Sequence, residues 1–382
     1  MSALTIRELA PDRLKDFVML PFGIYRDDPN WVAPLIGDQL KLLKGGSRFI
    51  AGSEHSFLMA YDGNRPRARV LVGRYAGMKP NLAGCCYFSL LEAADRPAFE
   101  AMLGAAESWA SARGLGKLIG PWSPTDGEDD RCFLIDGFDG PPTLMGTYNQ
   151  RWYPEAMDGL GYLKEMDLCT FLLTGKAEIE PRIARALELA LLRSRSEIGH
   201  VDIKDMQKDA KDMFEILKAC AAEDPLLPDP TWEQFMNEAK QLSKLADERL
   251  ILVARRKEDR KPVAFVVCMP NWSEVLKKMR GRVFPVGWVH ALGAKRRIKG
   301  MRALMQFCVP EYRGSGIMAV LYWKIFEEAV KAGYSYGEAG IIKDDNHGSR
   351  RPIEAIGGRK YRTYRWYGKQ IRTFAGTHDT AR

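Results

Sequence analysis

The stretch Val309–Ala332, VPEYRGSGIMAVLYWKIFEEAVKA, decides the fold of this chain. An apolar run ending in LMQFCV leads into it, the turn Arg313-Gly314-Ser315-Gly316 follows, and an amphipathic pattern then predicts a long helix. The first N–H groups of a helix have no helical acceptor, and the helix dipole adds partial positive charge there. Glycine lets the backbone approach a ligand closely. The sequence therefore predicts an anion site where a strand gives way to a helix.

This turn matches neither of the two common nucleotide-binding loops. A Walker loop requires Lys-Ser or Lys-Thr after its glycines, and here Ile317 and Met318 follow. The glycines also lack the GxGxxG spacing of a dinucleotide fingerprint. The predicted anion site is therefore of neither of these two types.

Composition bounds the class of protein. The chain has 382 residues with 46% hydrophobic and 28% charged residues, which predicts a globular protein of two or three domains. The net charge of +8 suits an anionic partner such as a phosphorylated cofactor, a membrane surface or nucleic acid. The seven cysteines are odd in number, lack a CxxC and lie mostly in apolar runs, so we expect reduced thiols and a cytoplasmic location. Neither a signal peptide nor a membrane-spanning segment is predicted.

A hairpin pattern occurs twice. The runs Phe57–Tyr61 and Ala68–Arg74 flank a polar turn, and ERLILVARRKEDRKPVAFVV repeats this pattern about 195 residues later. A strand, a helix and a strand follow in each copy: Gly84–Leu91, Pro97–Ala112 and Lys117–Trp122 in the first, and Arg302–Val309, Ile317–Ala332 and Tyr336–Ile342 in the second. We also expect a strand at His200–Lys204 and a loop over Ser123–Asp139. The repeat predicts two α/β domains, 1–176 and 177–382.

The second copy resembles a known family. Its glycine turn resembles motif A of the GNAT acyltransferases, Q/R-x-x-G-x-G/A, which binds the pyrophosphate of coenzyme A; Met318 stands where that motif has Gly or Ala. The stretches FGIYRDDPNWVAPL, LIDGFDGPP and DDNHGSRRPIEAIGGRKYRTYRWY resemble a tandem-GNAT subgroup that includes bacterial ceramide synthase-type N-acyltransferases.

The resemblance implies a fold and a division of labour. We expect an α/β (α+β) protein of two tandem GNAT-like domains, each a mixed, mostly antiparallel sheet flanked by helices. Domain 177–382 would bind acyl-CoA. Domain 1–176 would be a degenerate copy that shapes the acceptor site, because its corresponding turn, LEAADRP at Leu91–Pro97, is acidic and lacks glycine.

The chemistry that the resemblance implies is direct aminolysis of an acyl-CoA thioester by a primary amine, without a metal. The pantetheine arm would lie between two splayed strands, and a backbone N–H near Cys308 or Val309 would stabilise the oxyanion. The residues implied in acyl-CoA binding are Phe307, Cys308, Val309, Arg313, Gly314, Ser315, Gly316, Ile317, Met318 and Asn346. No Ser or Cys signature of a covalent acyl-enzyme is present.

The proton acceptor has several candidates. Glu338 lies among small residues on the second strand, Asp344 lies just beyond it, and His290 precedes the glycine-turn strand. Each has a structural alternative: an ion pair for Glu338, a turn or helix cap for Asp344, and a satisfied structural histidine. The tyrosine that commonly protonates the leaving thiolate in the superfamily is replaced here by Ile353. Tyr361, Tyr364 or Tyr367 could replace it, each with packing as its alternative, or water could suffice.

Residues 270–302 are a candidate for substrate selection. Trp272, Phe284 and Trp288 alternate there with basic residues, a pattern that suits a lid over an acyl chain, peripheral contact with the inner face of a membrane, or an ordinary packed helix. The acidic loop around Asp126 could attract a cationic amine. No helix-turn-helix, zinc or RNP signature supports binding of nucleic acid.

Three functions follow from these observations. The first is an N-acyltransferase that joins a fatty acyl-CoA to a sphingoid base. The second is a small-molecule N-acetyltransferase that uses acetyl-CoA. The third is a non-catalytic acyl-CoA-binding protein, which the departures at Met318 and Ile353 would favour.

Overall fold

The chain divides into two compact units. The computed structural model describes residues 4–372 apart from 76, 78–81, 126–129, 176–178, 204, 224–229 and 286. The first unit takes its described residues from Met1–Leu168, Leu276–His290 and Thr363–Arg382, and the second from Cys169–Val275 and Ala291–Arg362. The first unit therefore includes two segments from the C-terminal half. The predicted division at residue 176 places both of these segments in the second domain.

The first unit is built on a mixed sheet. Its elements are β1 (Thr5–Glu8), α1 (Leu14–Ile24), α2 (Ile36–Lys41), α3 (Arg48–Ala51), β2 (Ser53–Asp62), β3 (Arg65–Tyr75), β4 (Cys85–Ala93), α4 (Arg96–Ser111), β5 (Lys117–Gly120), β6 (Phe133–Asp136), α5 (Tyr153–Gly159) and the beginning of β7 (Leu163–Thr174). Strands β1 to β4 pair antiparallel in sequence order, and β4 pairs parallel with β5. Antiparallel pairing therefore predominates, as predicted.

The core of the first unit lies between this sheet and α4. The helix buries Phe99, Met102, Leu103, Ala106 and Trp109, the face that the sequence predicts. At its N-terminus the Asp95 carboxylate accepts a hydrogen bond from the Ala98 N–H at 2.9 Å and pairs with Arg67. A side-chain carboxylate thus caps the helix end where the second copy has its glycine turn.

The second unit repeats the plan. Its elements are the end of β7, α6 (Pro181–Arg193), β8 (Ser196–His200), α7 (Met206–Ala221), α8 (Trp232–Ser243), β9 (Ile251–Arg256), β10 (Pro262–Pro270), α9 (Ser273–Met279), α10 (Gly287–Ala291), β11 (Gly300–Cys308), α11 (Ile317–Lys331), β12 (Tyr336–Lys343), α12 (His347–Ala355) and β13 (Arg359–Gln370). Of these, α9, α10 and β13 lie partly or largely in the segments assigned to the first unit. Strands β8 to β11 pair antiparallel, and β11 pairs parallel with β12 across the α11 crossover.

The repeat extends to a backbone irregularity. The β3–β4 register shifts between Arg69 and Leu71, and the β10–β11 register shifts between Val267 and Cys268. The second shift leaves Leu304 as an extra residue in β11, which is a β-bulge. Both copies of the predicted hairpin, strand, helix and strand are therefore observed, each with a bulge in the strand before its helix.

Two local predictions are wrong. The stretch predicted as a loop over Ser123–Asp139 contains β6, which pairs with β13 at Thr363–Arg365, so a partner far along the chain determines this strand. The strand predicted at His200–Lys204 ends at its first residue, because β8 pairs with β9 over Ser196–His200. Residue 204 lies outside the described part.

Within the described residues, no helix is long and apolar enough to cross a membrane. All seven cysteines are free thiols; six are buried and Cys308 is partly buried.

Candidate active site

The glycine turn lies between β11 and α11, as predicted. Gly314 and Gly316 adopt φ values of 80° and 85°, in the left-handed region that glycine tolerates. A Cβ at Gly316 would lie 2.8 Å from the Cβ of Ala190 in α6, so this position has no room for a side chain. The Ser315 hydroxyl accepts a hydrogen bond from the Ile317 N–H at 3.3 Å. A helix N-terminus after a glycine turn is a common anion site, and its assignment here to a pyrophosphate stays a prediction.

Arg313 is exposed beside this turn. Its Nη1 lies 2.6 Å from the Oε2 of Glu223, and both side chains are about half exposed to solvent. An exposed pair of this kind contributes only about 0–1 kcal/mol, so an incoming phosphate can compete for the guanidinium. Glu223, which the sequence analysis missed, therefore competes with an anionic ligand for the guanidinium of Arg313.

The strand before the turn, β11, and the strand after α11, β12, separate along their length. β11 and β12 pair from Gly300–Tyr336 to Ala303–Ala339, and their paired register ends there. Leu304, the bulge residue, comes next, and the strand from Leu304 to Cys308 is only partly buried. This fork agrees with the predicted splaying of the two strands. It gives an extended pantetheine arm a backbone edge to follow.

The backbone of Val309 is already occupied. Its N–H donates to the Val263 carbonyl at 3.0 Å, and its carbonyl accepts from the Tyr312 N–H at 3.0 Å. The Val309 N–H is therefore engaged in this structure, and an oxyanion donor near Cys308 or Val309 stays a prediction. Leu304, which the regular ladder with β10 leaves out, is another backbone position in this strand that could serve as the donor.

Two thiols lie next to this site. The Cys220 Sγ donates to the Cys308 carbonyl at 3.3 Å. Burial raises the pKa of Cys308 to about 12 and also raises the pKa of Cys220. Both thiols are protonated at neutral pH and are poor nucleophiles, which favours direct aminolysis over an acyl-cysteine intermediate.

Glu338 lies between two arginines. Its Oε1 is 3.1 Å from Arg302 Nη1 and its Oε2 is 3.1 Å from Arg362 Nη1, and all three side chains are almost completely buried. The ion pair stated above as the alternative for Glu338 is therefore present. Its role as proton acceptor stays a prediction, and both of its carboxylate oxygens already contact a guanidinium group.

Asp344 and Asn346 also have structural partners. Lys360 approaches Asp344 to 2.8 Å and Arg350 approaches it to 3.2 Å, and the hydrogen bond from Lys360 holds the pKa of Asp344 below its usual value. A lowered pKa makes the carboxylate a weaker base. The Asn346 side chain caps α12 by accepting from the Ser349 N–H at 3.1 Å. Ile353 is fully buried in the same helix.

The remaining candidates are distributed between the units. His290, Phe284, Trp288 and Tyr364 belong to the first unit, and Trp272 belongs to the second. Tyr364 is fully buried in β13, whereas Phe284 is 76% exposed. The indole N–H of Trp272 donates to the Leu245 carbonyl at 3.0 Å, which anchors this ring. Asp126 lies outside the described residues.

Sequence reasoning missed a partly buried carboxyl group in the first unit. The Oε2 of Glu92 in β4 accepts from the hydroxyls of Tyr25 at 2.7 Å and Tyr153 at 2.9 Å. Desolvation raises the pKa of Glu92 to about 7, even though Arg69 and the two hydroxyls each act to lower it. The acidic sequence LEAADRP is typical of a solvent-exposed turn. The cluster becomes visible only when the positions of the two tyrosines are known.

Glu92 makes the stability of the protein depend on pH. Its carboxyl binds a proton more tightly when folded, so its contribution is full below pH 4.5 and is lost as the pH rises to about 7. The expected loss is about 2–3 kcal/mol. We expect Glu92→Gln to remove this slope in urea unfolding measured from pH 5 to 8, while the exposed Glu100→Gln keeps it. Equal slopes in the Glu92 variant and the wild type would contradict the expectation.

Comparison with known proteins identifies the class. Residues 210–357 match the family model described as the acetyltransferase (GNAT) family. Protein YghO of Escherichia coli (strain K12) is 28% identical over 374 residues, which cover 94% of this chain and 93% of that protein. A bacterial ceramide synthase of Caulobacter vibrioides is 25% identical over 381 residues, covering 94% and 96%.

Known structures show the same fold. A tandem GNAT protein from the clavulanic acid biosynthesis pathway has a TM-score of 0.56 at 12% identity, and the match covers 97% of this chain and 99% of that chain. A GCN5-related N-acetyltransferase from Sphaerobacter thermophilus has a TM-score of 0.55 at 12% identity, covering 97% and 96%. The chain therefore has the tandem GNAT fold, and residues 210–357 match the GNAT family model. The predicted resemblance and fold class are confirmed.

No group of three or more His, Cys, Asp or Glu side chains among the described residues is arranged to hold a metal ion.

Proposed function

We propose that this protein is an acyl-CoA-dependent N-acyltransferase that transfers a fatty acyl group to the primary amine of a sphingoid base. The observation that carries the proposal is the glycine turn at the N-terminus of α11, which follows a bulged strand that forks from its neighbour. Such a site suits the pyrophosphate and extended arm of coenzyme A. The lipid acceptor is supported by likeness to the Caulobacter vibrioides ceramide synthase along nearly the whole chain.

The reaction needs no covalent enzyme intermediate. The amine nitrogen attacks the thioester carbonyl, a carbon–nitrogen bond forms, and the carbon–sulfur bond breaks. The amine proton passes to a base, and coenzyme A leaves as its thiol. In this proposal a backbone N–H at the Leu304 bulge stabilises the negative charge that develops on the thioester oxygen, and the turn at Arg313–Met318 binds the pyrophosphate.

The exposed aromatic residues support a contact with the surface of a membrane. Phe284 and Trp288 are 76% and 44% exposed, and Arg280 and Arg282 are exposed near them. Aromatic side chains with a basic rim suit anionic lipid, which is where a lipid amine would be found. Sedimentation with phosphatidylglycerol vesicles tests this contact, and absence of binding at low salt would remove it.

Release of free thiol tests the function. Acetyl-CoA and palmitoyl-CoA are each incubated with sphinganine, 3-oxosphinganine, and a panel of polyamines and amino acids. We expect turnover with palmitoyl-CoA and a sphingoid base. Turnover only with acetyl-CoA and a small amine would replace the proposal with an N-acetyltransferase. Tight binding of acyl-CoA without turnover under any condition would indicate a non-catalytic binding protein.

A further inference from the structure

An apolar cavity lies inside the second unit, beside the candidate active site. It encloses about 620 Å³ of empty space, part of which is open to solvent, between the helices α7 and α8 and the strands β9, β10 and β11. The sequence analysis did not identify it, because its lining residues look like ordinary core positions.

The lining suits a flexible hydrocarbon. Met213 of α7, Met269 of β10 and Met305 of β11 contribute thioether side chains, and Phe235, Ala239 and Leu242 of α8 close one side. Methionine adapts its shape to what it packs against. The two polar side chains in the lining are Ser243 and the exposed Glu238. A ligand that filled this space would need little hydrogen-bonding capacity of its own.

The cavity adjoins the fork between β11 and β12. Met305 directly follows the bulge residue Leu304, and the parallel pairing with β12 ends one residue earlier, at Ala303. Neighbouring residues of a strand face opposite sides of the sheet. The Gln306 Oε1 accordingly accepts a hydrogen bond from the Tyr322 hydroxyl of α11 at 2.9 Å, whereas Met305 faces the cavity on the side of α7 and α8. A carbonyl held at the bulge would therefore lie at the entrance of the cavity.

We propose that this cavity holds the alkyl chain of a long-chain acyl thioester, with its methyl end between α7 and α8. The inference rests on the proposed function, which places the thioester carbonyl at the bulge. The chain begins at that carbonyl, so it reaches Met305 first and then the apolar lining. Helices α7 and α8 thus select the acyl chain, a role that the sequence analysis considered for residues 270–302.

Acyl chain length provides the first test. Binding of coenzyme A and of acyl-CoA thioesters from two to sixteen carbons is measured by calorimetry below their micelle concentrations, without any amine. Burial of one methylene contributes about 0.8 kcal/mol, which is roughly a fourfold change in Kd. We expect Kd to fall by up to about fourfold per methylene until the cavity is filled. The same Kd at every chain length would overturn the proposal.

A filled cavity provides the second test. Ala239→Trp places an indole in the cavity and, by displacing about three methylenes, is expected to raise the Kd of palmitoyl-CoA about 60-fold. The Kd of coenzyme A should stay within about twofold of the wild type. Asn237→Trp, on the exposed side of the same helix, is the matched control and should change neither value. Leu242→Ala enlarges the cavity and should move the preferred chain length upward.

The outcomes separate this inference from the proposed function. An Ala239→Trp variant that keeps its melting temperature and binds palmitoyl-CoA like the wild type would overturn the inference. If Ala239→Trp instead removes the effect of the amine's chain length and leaves the effect of the acyl-CoA chain length unchanged, the cavity binds the acceptor. That result would also overturn the inference. If chain-length-dependent binding is found but no amine supports thiol release, the proposed function fails while the acyl site stands.

Discussion

Arg313→Glu is expected to raise the Kd of coenzyme A and of every acyl-CoA at least 100-fold. The change removes the guanidinium beside the glycine turn and puts a second carboxylate next to Glu223, whose Oε2 now lies 2.6 Å from Arg313. A charge-assisted hydrogen bond is worth about 1.5–3 kcal/mol, and the new like-charge repulsion adds to its loss. A 100-fold change corresponds to about 2.7 kcal/mol. Calorimetric titration with coenzyme A measures it.

Two further variants make this result specific. Lys331→Glu makes the same change in charge at the other end of α11, roughly 21 Å away along the helix, and should leave Kd within about threefold. Glu223→Gln releases Arg313 from its exposed partner, so we expect a Kd up to about fivefold lower at low salt. Retention of coenzyme A binding in Arg313→Glu would refute the assignment of the glycine turn as the pyrophosphate site.

Glu338→Ala is expected to lower the free energy of unfolding by about 3–5 kcal/mol. Removing one partner of a buried ion pair is strongly destabilising, and here the guanidinium groups of both Arg302 and Arg362 pair with the carboxylate that is removed. The melting temperature should fall by roughly 10 °C. Glu328→Ala, which breaks a more exposed pair with Lys331, is the control and should cost less than about 1 kcal/mol.

Glu338→Gln distinguishes the structural role from the catalytic one. Glutamine keeps the shape of the side chain but removes the negative charge. If Glu338 holds the two arginines, the variant melts at a lower temperature and its folded fraction keeps a substantial kcat. A variant with unchanged melting temperature and a kcat lowered by two or more orders of magnitude would instead identify Glu338 as the proton acceptor.

Much of the fold could be predicted from local sequence patterns. The glycine turn, the apolar face of α4 and the repeated hairpin are encoded by neighbouring residues, so they could be predicted without tertiary information. Strand β6 could not, because its pairing with Thr363–Arg365 depends on residues more than 200 positions away. A short strand with little apolar alternation looks like a loop until its partner is known.

The candidate site divides in the same way. The turn from Arg313 to Met318 is one contiguous motif and was predicted as such. The surroundings of Glu338 come from Arg302 and Arg362, which lie 36 residues before it and 24 residues after it, so the sequence left ion pair and base as alternatives. The cavity is formed by five elements together, α7, α8, β9, β10 and β11, so no single stretch of sequence reveals it.

The composition of the first unit has a consequence for synthesis. Its strand β5 pairs with β13, where Tyr367 lies opposite Gly120 and Gln370 opposite Lys117. A ribosome makes these partners about 250 residues after β5, which is a wait of roughly 10–50 s at 5–20 residues per second. During that time the edge of β5 that β13 later covers has no partner from its own unit. The amino-terminal unit therefore completes its fold only when the carboxyl-terminal strand leaves the ribosome, so the first part of the chain to be made is among the last to be finished.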